Sequence, residues 1–292
     1  MNTTMNTVNQ TFNWSRFSAA LRKEVVENNR TILFSVLCIY ALLSIVMIVG
    51  NIIIGIKGAT LEDIKTMENG MQPHYTVVNY ILTIAVAIVA SFSFKKLTKK
   101  TGRIDMFTSP ASTLEKFLVN VAIYVFGFIV VFFICAQLAD LTRIAALWYF
   151  RDDIIVQGPI NFLPILTQAY DLSPIGKMYE MSQISKLLPL ALLANAGMFL
   201  MGSVLWPRLS VLKTFAAIYA VETVLGILFI AVGFIIGNSN IISFLRWIPN
   251  YLENGSFIYI IGGFIIVQLL LYWGLAWYLF KRKDVISLKW WK

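Results

Sequence analysis

The chain has 292 residues, of which 58% are hydrophobic and 13% charged, with a mean hydropathy of +0.74. That charged share is about half the roughly 25% of a soluble domain, which excludes a soluble globular fold and points to an all-α polytopic membrane protein. The net charge of +9 needs no nucleic acid, since most of the cations gather where one leaflet's anionic lipids would meet them.

Residues 1–12 are polar and expected to be disordered, and residues 13–292 form one membrane domain. Over Asn13–Arg30, helical spacing places Trp14, Phe17, Leu21 and Val25 on one face and Arg16, Lys23, Glu27 and Arg30 on the other. A helix of this kind lies in the membrane interface; the alternative is that its apolar stripe packs on another part of the same chain. No secretory signal is expected, because the first thirty residues are polar and the first apolar run is too long for a signal core.

Six stretches are long and apolar enough to cross a core that needs about 20 helical residues: 31–56, 77–94, 117–138, 187–206, 215–236 and 258–280. Helices rather than barrel strands are expected, since no alternating ten-residue pattern recurs. With both termini inside, 17 of the 24 Lys and Arg are cytoplasmic, leaving Lys57, Lys65, Arg143, Arg151, Lys177, Lys186 and Arg246 outside. The positive-inside bias therefore predicts an N-in, C-in protein of the cytoplasmic membrane.

The second span begins in the polar turn Gln72-Pro73-His74, and the chain's single histidine is placed in that external loop. After it comes the most informative stretch, Lys95–Phe117. It carries Lys95, Lys96, Lys99, Lys100, Arg103 and Lys116 against Asp105 and Glu115. Within it, Ser112-x-x-Glu115 ahead of an apolar run is a capping box, Ser112 accepting from the third helical N–H while Glu115 accepts from the Ser112 N–H. A basic, structured cytoplasmic elbow that ends in a capped membrane helix is predicted, and such an elbow docks a partner. The plainer reading is attraction of its lysines to anionic lipid. Lipid alone would not require the Pro110-Ala111-Ser112 turn and its cap.

Cys38 and Cys135 both fall inside spans as small apolar residues, so neither a disulfide nor a metal site is expected. The external segment 139–186 is too long to be structureless. Its stretch Leu141–Phe150 suits a helix lying at the outer interface, and Pro159, Pro164 and Pro174 break the remainder into short pieces. Glu222 lies about seven residues into the fifth span. A charged carboxyl near the centre of a bilayer costs about 2.5 kcal/mol or more. It marks either a substrate path or subunit seam, or a structural hydrogen bond with Thr223, Asn195 or Gln268. Trp206, Trp273, Trp277, Trp290 and Trp291 are expected to form an interfacial belt, and the glycines of the spans to permit close packing.

Catalytic signatures are absent. There is no G-x-x-x-x-G-K-[ST] to cradle a nucleotide, and one histidine cannot make an H-E-x-x-H site. A Ser-His pair inside the membrane would lack its base. No catalytic residue and no bound cofactor or metal are expected, and no internal repeat suggests two transporter halves within one chain.

This layout resembles the permease subunits of ABC-2 type ATP-binding-cassette exporters, over most of the chain. The resemblance lies in the amphipathic 14–30 helix entering the first span, six spans with both termini inside, and the wording Met106-Phe107-Thr108-Ser109-Pro110-Ala111-Ser112-Thr113-Leu114-Glu115-Lys116-Phe117 after the second span. It implies a coupling helix in the 95–116 loop that fits a separate ATPase subunit, the one that binds ATP and Mg, and a second permease, identical or not, closing the path. Arg103, Asp105, Met106, Phe107 and Ser109 are then the expected ATPase-coupling residues. A charged pair flanking an exposed aromatic suits a small interface hot spot. The long external segment between spans three and four departs from the family, whose external helices usually lie between spans five and six, where 238–253 would be a short version. Two other classes remain: a membrane scaffold or regulatory subunit, and a secondary transporter driven by protons through Glu222.

Overall fold

The computed structural model describes residues 12–56, 72–150, 159–162, 165, 186–236 and 257–283. The expectations for residues 1–11, for the external segments 57–71 and 237–256, for most of 151–185, and for Trp290 and Trp291 lie outside the described residues. Those described form helices and no strand: α1 (Trp14–Glu27), α2 (Asn29–Ile56), α3 (Gln72–Phe92), a 3-10 turn (Lys95–Thr98), α4 (Lys100–Thr108), α5 (Thr113–Val121), a π-helical turn (Ala122–Gly127), α6 (Phe128–Phe150), α7 (Leu188–Leu205), α8 (Ser210–Ile236) and α9 (Phe257–Lys281).

Five helical stretches are long and apolar enough to cross a membrane: Asn29–Gly50, Thr113–Tyr149, Leu188–Leu205, Ser210–Leu228 and Ile258–Lys281. Thr76–Phe92 is a shorter apolar helix. The helix that contains it starts at Gln72, so His74 sits in its first turn instead of in a loop, with Pro73 near the helix start where a missing N–H costs nothing.

The largest difference from expectation is the third stretch. Instead of ending at Leu138 and giving way to a separate interfacial helix, it continues through Leu141–Phe150. The reason is local. Asp140 and Arg143, read from sequence as loop charges, are three residues apart on one helix face, and Arg143 Nε donates to Asp140 Oδ1 at 2.7 Å. Both are buried, so the pair neutralises charge that would otherwise end the helix. The other carboxylate oxygen accepts the Ile160 N–H at 2.7 Å, which draws the chain back so that Ile160, Phe162 and Ile165 fill the core between α2, α3, α6 and α7.

Helix α7 is the hub of the body, packing on α9 most extensively and on α3 and α8 as well, while α2 lies along α6. Glycine sets the closest approach. A Cβ on Gly197 would lie 2.4 Å from the Trp273 ring, and Trp273 Nε1 donates to the Leu193 carbonyl at 3.0 Å. Trp273 is thus a packing residue, as is Trp277, whose ring meets Phe117 edge-on at 5.3 Å. Cys135 is buried and Cys38 exposed, each as a free thiol.

Candidate functional site

The elbow between α3 and α5 folds back on itself. Helix α4 crosses the 3-10 turn so closely that a Cβ on Gly102 would come 2.5 Å from the Lys96 carbonyl oxygen, a contact only glycine allows at that backbone distance. Below it lies an aromatic cluster. Met106 is buried with Phe94, Leu97, Phe117, Leu200, Val204, Ala276 and Phe280, and Phe94 lies 4.8 Å from Phe280, between ring centres. Contacts of this type contribute about 0.5–1.5 kcal/mol each beyond area burial. Through them α4 is fastened to α5, α7 and α9 at once.

The capping box is formed. Ser112 Oγ accepts the Glu115 N–H at 3.2 Å, and Glu115 Oε2 accepts the Ser112 N–H at 2.7 Å. Glu115 does more than cap: its Oε1 accepts the Asn13 N–H at 2.7 Å and Arg16 Nη2 at 3.1 Å, and the side chain is fully buried. One carboxylate therefore joins the start of α1 to the start of α5.

The rest of α1 is held by its polar face. Lys23 Nζ bonds Asp105 Oδ1 at 2.9 Å, and Lys96 Nζ bonds Glu24 Oε2 at 2.6 Å and Glu27 Oε2 at 3.1 Å. The hydrogen bond from Lys23, opposed by partial burial and reinforced by the charges of Lys23 and Lys96, holds the Asp105 carboxyl below its ordinary range. The Asp105 hydrogen bond raises Lys23 in turn, against slight burial. Burial works against the charge on Lys96, but Glu24 and Glu27 outweigh it and raise that group too. No residue of α1 is buried, and Trp14 is 70% exposed, with Phe12 and Phe17 against it. The polar face grips the elbow and the aromatic face is left open.

The predicted coupling residues divide accordingly. Met106 is buried and Phe107 is half-buried, its ring stacked at 6.4 Å on Phe280. The expectation of an exposed aromatic is thus corrected: hydrophobic residues 106 and 107 turn to the body because the Phe94, Phe117 and Phe280 rings offer them a core. Asp105 is exposed but engaged by Lys23 and Lys96, so it is no free half of a charged pair with Arg103. Arg103 and Ser109 are half-buried. The apolar side chain that α4 does present outward is Ile104, 41% exposed, with Thr101 and Thr108 exposed on the same stripe. Sequence reasoning missed Ile104, although its spacing of two from Met106 puts it on the opposite side of a helix. Thr98 Oγ1 also donates to the Pro207 carbonyl at 3.1 Å, joining the elbow to the turn between α7 and α8.

Glu222 lies far from all this. Because α8 begins at Ser210, it is twelve residues into the helix, about 18 Å along it at 1.5 Å per residue. It is exposed to a cleft of about 550 Å³ between α7, α8 and α9 that Asn195 and Gln268 also line. None of the three expected partners is bonded to it: the Asn195 amide donates to the Thr83 carbonyl at 3.1 Å, Thr223 donates to the Tyr219 carbonyl, and Gln268 lines the cleft without a hydrogen bond to Glu222. Among the described residues no group of three or more potential metal ligands occurs. Comparison with protein-family models, with curated proteins and with solved structures finds no match to this chain, so any functional reading rests on the elbow and the cleft themselves.

Proposed function

We propose that the chain is the permease subunit of an ABC-2 type ATP-driven exporter, without ATPase activity of its own. Six helices cross the cytoplasmic membrane with both termini inside, and a second permease completes the path. The observation that carries this reading is helix α4: a short helix on a membrane protein's basic elbow, anchored from beneath by Met106 and presenting Ile104, Thr101 and Thr108 outward. An element that only attracted lipid would need neither the anchor nor the Ser112–Glu115 cap. As the sixth span, α3 would cross with its apolar stretch Thr76–Phe92, about 25 Å of helix and at the short end of the lengths that span a bilayer.

In this mechanism ATP, bound with Mg by two partner subunits, closes them against α4. The displacement passes by two routes, through Ser112 and Glu115 into α5 and through Met106 and Phe107 onto Phe280 of α9. Arg103 and Ile104 make the outward contact, while Asp105 holds α1 to the moving piece.

The test is co-purification from native membrane in mild detergent, comparing the wild type with Ile104→Asp and Arg103→Glu. A P-loop ATPase should accompany the wild type and be lost from both variants, with their melting temperatures unchanged. A well-folded preparation that carries no nucleotide-binding partner would reject the exporter and leave a scaffold subunit as the better reading.

A further inference from the structure

We infer that the cleft between α7, α8 and α9 is a binding site for an amphiphilic organic cation, with Glu222 as its counter-charge. Among the described residues none supplies this carboxyl with one. Glu222 stands midway along an apolar helix, makes no hydrogen bond or ion pair among the described residues, and no Lys, Arg or His lines the cleft with it. An ionised carboxylate in such surroundings costs about 2.5 kcal/mol or more, which a cation arriving from outside would offset.

Packing closes the other end of the cleft. Thr214, two helical turns before Glu222 on the same wall, is 3% exposed, and its hydroxyl has no hydrogen-bond partner. Threonine in a helix ordinarily donates to the carbonyl four residues back, as Thr223 does to Tyr219. A buried hydroxyl left without a partner is uncommon enough to require an explanation, and here it is packing: the oxygen is the atom that abuts Gly202 of α7 and has no surface open to the cleft. Thr214 is wedged against Gly202, where any Cβ would collide with it, so its place is set by packing.

The remaining walls suit the same class of ligand. Tyr272 is half-buried in the lining, and an aromatic ring attracts a cation. Met198 supplies a polarisable, adaptable surface for an apolar body. Gln268 adds an amide that no interaction within the chain occupies among the described residues. At about 550 Å³ the space lies within the range of small-molecule pockets, which are mostly apolar with a few convergent polar groups. The crevice between α1 and α4, about 50 Å³, holds no more than water.

The site lies within one chain and needs no ATPase, so its test is separate from that of the exporter. Binding of radiolabelled tetraphenylphosphonium to the full-length protein in dodecyl maltoside is measured by equilibrium dialysis against detergent alone, which also removes lipid amines as competitors. We expect one saturable site per chain, weakened about ten-fold or more in Glu222→Gln, as for loss of one partner of a desolvated charge pair, and partly restored in Glu222→Asp. Tetraphenylborate, the same shape with the opposite charge, should not bind saturably. Melting temperatures confirm folding, and Glu222→Gln removes no bond within the chain. Absence of a saturable component in wild type, equal binding by Glu222→Gln, or equal binding of tetraphenylborate would each overturn the proposal.

Discussion

Glu115 shows how much one side chain can carry. A helix cap of the Ser112 type contributes about 1 kcal/mol, and Ser112→Ala should cost no more than that. Glu115→Ala removes the acceptor for the Ser112 N–H, the Asn13 N–H and Arg16 together, leaving a guanidinium and two amides to find water. Stranded partners of a buried charge make such a change cost about 3 kcal/mol. Thermal unfolding in detergent should therefore rank Ser112→Ala above Glu115→Gln above Glu115→Ala. Equal losses in the first and last would mean that Glu115 is only a cap. The cap itself was legible, because Ser-x-x-Glu before an apolar run is a local signal. Asn13 and Arg16 as partners were not, since about a hundred residues separate them from Glu115 and no spacing rule reaches that far. Asp140 and Arg143 were misread for the opposite reason. Charges in a segment after an apolar run look like loop residues until the i, i+3 spacing is taken as a pair that cancels itself.

At the level of elements, α1 is the piece whose attachment depends on charge. The amphipathic pattern was legible, and the structure adds that the face turned to the protein is the polar one. This attachment has a defined pH window. Asp105 is held below its ordinary value of 3.8, so its contribution is fully present above that pH and is lost as pH falls through its lower folded value. Lys23 and Lys96 are raised above 10.5, so theirs is present below that pH and lost only in stronger alkali. Spin labels at Ala19→Cys and Thr108→Cys, in a background without Cys38 and Cys135, should give one narrow distance distribution from pH 5 to pH 9. It should broaden below about pH 4. Broadening at pH 6 would assign the attachment to something other than these ion pairs. Element boundaries were the least legible feature, for hydropathy marks where lipid would lie and not where hydrogen bonds stop. Helix α8 starts five residues before its apolar run, and α3 takes in the polar turn that preceded its own. Phe107 belongs with these misreadings, because exposure of an aromatic cannot be judged until the rings it meets are known.

For the whole molecule, the two ends differ enough to make the direction in which it faces measurable. One end carries the basic elbow, the ionic attachment of α1 and the turn at Pro207. The other carries the Asp140–Arg143 pair, which pulls Ile160 inward and leaves Pro159 exposed. Ser112 and Asp140 are 28 residues apart on a nearly continuous helix, about 42 Å at 1.5 Å per residue. That exceeds a hydrocarbon core of about 30 Å, so where this helix spans a bilayer its two ends lie on opposite sides. The excess of Lys and Arg at the elbow then predicts that this end is the cytoplasmic one. Single cysteines at Thr101 and Pro159, in the cysteine-free background, turn this into a measurement. A membrane-impermeant maleimide should label Pro159→Cys on intact cells and Thr101→Cys only after permeabilisation. The reverse pattern would put α4 outside, beyond the reach of any cytoplasmic ATPase, and the exporter reading would fall with it. The cation site between α7, α8 and α9 would survive, because nothing in its chemistry depends on which leaflet the elbow meets.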